Sequence, residues 1–173
     1  ADLPVTASVT NCTFADNNSA ADPFHTLYLE HLESATIANC SFVRNQARGG
    51  GALYTLMTDV LVRDSFFYEN KAHEGGAISA MQASNMVVRN GSISGNRASS
   101  RGGGIHLSGS LSLEASTVSG NTAPEGGGVY SGWSSVFNSL LSTVSGNTAE
   151  SGGGWYSDGI ATAQETVVED NSA

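Results

Sequence analysis

One asparagine recurs along the whole chain: Asn17, Asn45, Asn70, Asn96, Asn121, Asn147 and Asn171, at intervals of 28, 25, 26, 25, 26 and 24 residues. Two residues after each stands a small one (Ser19, Ala47, Ala72, Ala98, Ala123, Ala149, Ala173), and three before each a large apolar one (Phe14, Phe42, Phe67, Ile93, Val118, Val144, Val168). A glycine cluster follows in five of the units, as in Gly50-Gly51-Ala52-Leu53, Gly75-Gly76-Ala77-Ile78 and Gly102-Gly103-Gly104-Ile105. A period of this size restricts the chain to a solenoid or an array, in which each unit buries its apolar face against the next.

The local period decides between strand and helix. Counting back from each Asn, apolar or small residues fall at −3, −5, −8 and −10, an alternation with a bend between −5 and −8. The −8 column reads Val9, Ile37, Val62, Val88, Leu113, Ser139, Ala163, and the −10 column Ala7, Ala35, Val60, Met86, Leu111, Phe137, Ala161; both are expected to point inward. Frequent glycines and scarce helix formers between them exclude helical or leucine-rich repeats. The expected fold is all-β, a right-handed parallel β-helix of about 25 residues per coil in six to seven coils, with like residues stacked about 4.8 Å apart. Residues 1–173 read as a single β-helix domain, a segment of a longer chain. The repeated Asn is expected at a turn, in left-handed backbone geometry, with its amide bonded to the Asn above and below. The glycines are expected to supply positive φ or close rung-to-rung approach.

Composition narrows the function classes. A net charge of −9 leaves no basic face for general nucleic-acid binding. At 39% apolar the chain can bury a core, and no apolar run approaches the roughly 18–20 residues of a membrane helix. With no starting Met and no basic leader, it reads as a mature or excised segment. Strong acidity without the Gly-Gly-x-Gly-x-Asp calcium repeat suits an extracellular or cell-surface location.

The repeat residues resemble a known family. Phe14-Ala15-Asp16-Asn17, Phe42-Val43-Arg44-Asn45 and Phe67-Tyr68-Glu69-Asn70 are similar to the Phe-x-x-Asn repeat of chlamydial-type polymorphic outer-membrane proteins. Gly50–Leu53 and Gly75–Ile78 are similar to their companion Gly-Gly-Ala-(Ile/Leu/Val) repeat. After residue 90 the Phe becomes Ile or Val, and the Ala of the glycine motif becomes Gly. The resemblance implies an extracellular passenger domain, usually an adhesin.

Aligning Leu27, Leu53, Ile78, Ile105, Val129 and Trp155 as inward residues puts Tyr28, Tyr54, Ser79, His106, Tyr130 and Tyr156 in the next, outward column. Four of the five tyrosines would then line one external stripe able to bind sugar faces or a protein partner, unless tyrosine simply suits a half-exposed strand. An inward Trp155 would crowd Phe137. Arg48, Lys71, His73, Arg97 and Arg101 fall near the turn after the Asn in three successive coils, where they form either an acidic-glycan site or an ordinary solvated turn. The Ser92/Ser94, Thr117/Ser119 and Thr143/Ser145 pairs suggest a flat hydroxyl face, interrupted by Val43, Phe66 and Tyr68.

No catalytic set and no cofactor or metal site assembles. β-Helix enzymes need carboxyl pairs or calcium-binding acids with a base, whereas the −1 column (Asp16, Arg44, Glu69) and the −7 column (Arg63, Arg89, Glu114) alternate in sign, as a charge ladder does. His25, His31, His73 and His106 occupy different columns. Cys12 and Cys40 share the −5 column in adjacent coils and are either a disulfide or two small buried thiols. Sequons at Asn11, Asn17, Asn39 and Asn90 would accept glycans on a secretory route. Three functions follow: a non-enzymatic surface or adhesion module binding glycan or protein partners, a structural protein assembling end to end into an extracellular filament, or a polysaccharide lyase or hydrolase.

Overall fold

The structure, a computed structural model, describes residues 4–18, 25–82 and 84–173; Ser19, the small residue expected after Asn17 and the end of its sequon, lies outside them. The chain winds as an all-β parallel solenoid of about six turns, about 26 residues per turn. In its three longer sheets each strand pairs in parallel and in register with its equivalent one turn away, so side chains of one type stack into columns. One sheet has seven strands, Thr6–Thr10, Ser34–Ala38, Asp59–Arg63, Asn85–Arg89, Ser110–Glu114, Val136–Leu140 and Ile160–Gln164. The second also has seven, Thr13–Ala15, Ser41–Val43, Phe66–Tyr68, Ser92–Ser94, Thr117–Ser119, Thr143–Ser145 and Val167–Glu169. The third has six, Leu27–Glu30, Leu53–Leu56, Ile78–Met81, Ile105–Leu107, Val129–Ser131 and Trp155–Ser157. Beside it, Lys71–Glu74 and Arg97–Arg101 form a two-stranded ladder that isolated bridges continue upward through Gln46 and downward through Thr122 and Thr148.

The core is the set of inward columns. Ile37, Val62, Val88 and Leu113 stack in the −8 column and Ala35, Val60, Met86 and Leu111 in the −10 column, all buried. In the second sheet the Phe14, Phe42 and Phe67 rings stack face to face, with centroids 4.8 and 4.7 Å apart and planes within 3°. Stacking at strand spacing follows from the register, because identical residues in adjacent parallel strands share one rotamer. The alignment of Trp155 with Val129 holds: its indole meets Phe137 edge-on at 5.7 Å, over the space left by the small Ala161.

The asparagine ladder is continuous. Side-chain amides connect Asn17 to Asn45, then to Asn70, Asn96, Asn121, Asn147 and Asn171, at 2.7–3.0 Å per step. From Asn45 to Asn147 each Oδ1 also accepts the backbone N–H of the Asn above, and each Nδ2 also donates to a carbonyl, as Asn96 does to Phe67 O. The left-handed geometry expected at the Asn belongs instead to the residue before it: Asp16, Arg44, Glu69, Gly95, Gly120, Gly146 and Asp170 have φ between 52° and 65°. That residue turns the corner, and its turn aims the Asn inward. The glycine clusters behave as expected. Gly102 has a φ of 63°, and a Cβ on Gly103 would lie 2.3 Å from the Gly127 carbonyl oxygen, so only glycine lets these turns approach.

Candidate functional site

The third sheet carries the tyrosine column in the expected register, Tyr28 to Tyr54, Ser79, His106, Tyr130 and Tyr156. Exposure along it is not uniform. Tyr28 is 44% exposed, whereas Ser79 is 1% and His106 and Tyr130 are each 6%. The single external stripe expected from the sequence is therefore corrected to two groups separated by Ser79. The cause lies in the segment after each Asn, which folds back beside this sheet. There the Arg101 guanidinium sits 5.0 Å from the Tyr130 ring centroid and is held by Glu125 Oε2 at 2.9 Å. Tyr130 stacks on Tyr156 at 5.3 Å and donates its hydroxyl to Asp158 Oδ2 at 3.3 Å. Burial raises the Tyr130 pKa, against the pull of Arg101. His106 meets the Tyr130 ring edge-on, and its Nδ1 is buried 3.5 Å from Glu74 Oε2 without a hydrogen bond. Burial lowers the His106 pKa, Glu74 raises it and Arg101 lowers it. This lower group is a packed cluster, not an open binding face.

The upper group is open. The His25 ring stacks on Tyr54 at 4.1 Å and on Tyr28 at 5.1 Å, and the two tyrosines stand 5.4 Å apart. Nδ1 of His25 bonds to the Gly49 carbonyl, so that nitrogen carries the proton when the ring is neutral. Burial lowers the His25 pKa and the Gly49 carbonyl opposes the shift. His25, Tyr54, Arg48, Gly49, His73 and Glu74 line a cleft of about 420 Å³. The arrangement offers flat apolar rings edged by polar groups, which suits a sugar ring's mixed surface. In the sequence His25 stands out only as a histidine whose column holds no other, because it precedes the strand and its ring partners lie in the tyrosine column.

A second cleft, of about 460 Å³, runs along the Asn corner. The Asn side chains point in, so the residues on either side diverge and leave a groove between the −1 wall (Arg44, Glu69, Gly95) and the +1 wall (Gln46, Lys71, Arg97, Thr122). Of the expected basic cluster, this groove takes Lys71 and Arg97, the first cleft takes Arg48 and His73, and Arg101 is committed to Glu125 and Tyr130. His73 Nδ1 also meets Ser99 Oγ at 2.9 Å. Arg44, Glu69 and Gln46 were the further groove residues that a comparison of the two columns flanking the Asn would have found.

The charge ladders form in part. Arg44 clasps Asp16 with two bonds of 2.7 and 2.8 Å, Arg89 pairs with Glu114 at 2.6 Å, and Arg63 pairs with Asp64 at 2.9 Å. The Arg44 guanidinium holds the Asp16 carboxyl below its usual range. His31 pairs with its neighbour Glu30 at 3.3 Å, and among the described residues no three His, Cys, Asp or Glu gather as a metal site would require. The outward hydroxyl pairs Ser92/Ser94, Thr117/Ser119 and Thr143/Ser145 align in register, with Phe66 and Tyr68 exposed above them.

Cys12 and Cys40 are both free thiols. They do occupy neighbouring positions, with Ser41 N–H bonded to Cys12 O at 2.9 Å, but the Cys40 thiol turns back to the Ala38 carbonyl at 3.3 Å and the Cys12 thiol to the Thr10 carbonyl at 3.2 Å. In-register parallel neighbours point the same way, so their Cβ atoms keep the strand spacing of about 4.8 Å, beyond the ~3.8 Å mean of a disulfide. Asn11, Asn39 and Asn90 are exposed at the −6 corner with φ of 51–55°, whereas Asn17 donates its amide to the ladder.

Compared with known proteins, the sequence matches the right handed beta helix region over residues 4–173, and the chain belongs to that family. Comparison with curated proteins gives no match, and comparison with solved structures gives none. Among the described residues no helix is long and apolar enough to cross a membrane.

Proposed function

We propose that this chain is a non-enzymatic recognition module of an extracellular or cell surface, and that it binds glycan across the cleft lined by His25 and Tyr54 and the Tyr28 ring stacked on His25 beside it. The stacking of three rings beside Arg48, His73 and Glu74 carries the reading. Stacked aromatics give a large contact area at little entropic cost, and the polar rim orients hydroxyls. The Phe-x-x-Asn resemblance to polymorphic outer-membrane proteins supports surface display. Against the lyase or hydrolase reading, four clefts each carry a single carboxylate, from Glu69, Glu74, Glu150 or Asp59, where sugar hydrolysis uses a pair.

Glycan-array binding followed by titration of the hits tests the reading. Tyr28→Ala and Tyr54→Ala should each weaken binding by about fivefold or more, the loss of a stacking contact of about 1–3 kcal/mol. Tyr130→Ala, in the packed cluster, should leave affinity unchanged. Binding that survives Tyr28→Ala and Tyr54→Ala together would remove the cleft from the proposal.

A further inference from the structure

The chain has more than twice as many acids as bases, 16 against 7, so each cation has carboxylates to choose from. Arg44, Arg63, Arg89 and Arg101 all take one. Arg48, Lys71 and Arg97 do not: among the described residues none of the three lies within ion-pair distance of an acid. Of these, Lys71 and Arg97 are direct partners across the ladder, with Cα atoms about 4.8 Å apart, and like charges so placed repel. Both side chains are exposed and line the groove over the Asn corner.

The surroundings make this pair approachable. Across from Arg97 the −1 wall is Gly95, which has no side chain, and the Tyr68 ring borders that gap, 3.5 Å from where a Cβ would stand. Above and below in the same column, Gln46 and Thr122 add an amide and a hydroxyl donor. Four successive turns therefore present hydrogen-bond donors in a line, with the two cations at its centre. On the strand Lys71–Glu74, Lys71 lines the groove, and His73, two residues on and on the same side of the strand, lines the aromatic cleft.

We propose that Lys71 and Arg97 form a site for an oxyanion carried on a linear polysaccharide, bound between the two cations while a neighbouring sugar lies in the cleft of His25 and Tyr54, against the Tyr28 ring beside it. The inference rests on the glycan reading above and adds that the glycan is acidic. A sulfate ester or a carboxylate supplies oxygens for both donors, and each charge-assisted bond relieves the repulsion that the empty pair sustains. Glu69 on the opposite wall sets a limit, since it repels an anion placed over Lys71 and favours one displaced toward Arg97 and Gly95.

The test measures binding of dextran sulfate, polygalacturonate and uncharged dextran to the wild type and to three variants. Lys71→Gln with Arg97→Gln removes the pair; Arg63→Gln with Arg89→Gln removes the same charge elsewhere; Tyr28→Ala reports on the cleft. All these side chains are exposed, and unchanged thermal unfolding confirms that each variant folds. The expected result is tighter binding of a charged probe than of dextran, weakened about 100-fold by losing both Lys71 and Arg97 and at most about twofold by the charge-matched control. Preference for dextran sulfate over polygalacturonate, or the reverse, identifies the oxyanion. Equal losses in the two double variants would overturn the site, leaving only bulk charge. Binding that Tyr28→Ala abolishes and Lys71→Gln with Arg97→Gln spares would overturn the site while the glycan reading stands. No binding of any probe by the wild type, in a protein whose glycan-array hits are neutral, would also overturn it.

Discussion

Asn96 Oδ1 accepts two hydrogen bonds from Asn70, from its backbone N–H at 2.9 Å and from its side-chain Nδ2 at 3.0 Å. Asn96 Nδ2 in turn donates to Asn121 Oδ1 and to Phe67 O, both at 3.0 Å, so two lone pairs and two protons are all used in a site 1% exposed. Asn96→Asp keeps the acceptors but sets a second oxygen against two carbonyl oxygens. Each buried group left unpaired costs about 1–3 kcal/mol, so a loss of about 3–5 kcal/mol is expected. Asn171→Asp, half-buried in the outermost turn, should cost less. Urea unfolding measures both, and equal midpoints would show that the inner ladder contributes nothing special.

Two glycines separate close approach from backbone geometry. A Cβ on Gly103 would meet backbone atoms of Gly127 and Thr122 at 2.3–2.7 Å, whereas one on Gly120 has nothing nearer than 3.9 Å and faces only its φ of 63°. Gly120→Ala should therefore cost about 1–2 kcal/mol, the left-handed penalty. Gly103→Ala forces two turns apart and should cost clearly more. Thermal unfolding of the two variants decides it, and a Gly103→Ala protein as stable as Gly120→Ala would remove close approach as the reason for the second glycine.

The architecture was legible because its signal is periodic. The Asn, Phe and −8 columns each report one inward position per turn, and parallel in-register pairing converts spacing directly into neighbours. What the spacing could not convey was conformation within a turn. Asn tolerates left-handed angles, yet Arg44 and Glu69 carry them, because the inward aim of the amide is worth four hydrogen bonds and a charged side chain can adopt positive φ while pointing to solvent. The same limit applies to the site. The column placed Tyr28 and Tyr130 alike, but Arg101, on the segment that follows the Asn, covers Tyr130. His25 reaches Tyr54 from outside the tyrosine column.

The buried imidazole of His106 makes stability depend on pH. The charged and titratable groups facing it are Glu74, Arg101 and Tyr130, and burial outweighs the carboxylate, so its pKa in the folded chain lies below the ordinary 6.5. Between the two values the unfolded chain binds more protons, and stability rises with pH. It should be complete above about 6.5 and fall as the pH drops from there toward the folded pKa. His25 shifts the same way and adds to the slope. In urea unfolding between pH 5 and 8, His106→Gln should flatten the decline and Glu74→Gln should extend it to lower pH. An identical decline in the wild type and His106→Gln would place the dependence elsewhere.

The thiol of Cys40 stands in a column that elsewhere holds serines with the same task. Ser65, Ser116 and Ser142 each donate Oγ to the carbonyl two residues before, at 2.8, 2.9 and 2.8 Å, as the Cys40 thiol does to Ala38 O at 3.3 Å. Cys40→Ser should therefore preserve the contact and change stability by less than about 1 kcal/mol, the scale of one neutral hydrogen bond. Cys40→Val adds branched bulk and removes the donor, and should cost about 1–3 kcal/mol. Because both thiols are free, the denatured and unreduced protein should titrate both, and reductant should leave the unfolding midpoint where it was. A midpoint that falls on reduction by the ~2–4 kcal/mol typical of a disulfide would mean that the two turns are covalently joined, and that the strand spacing gives way there to bring Cys12 and Cys40 together.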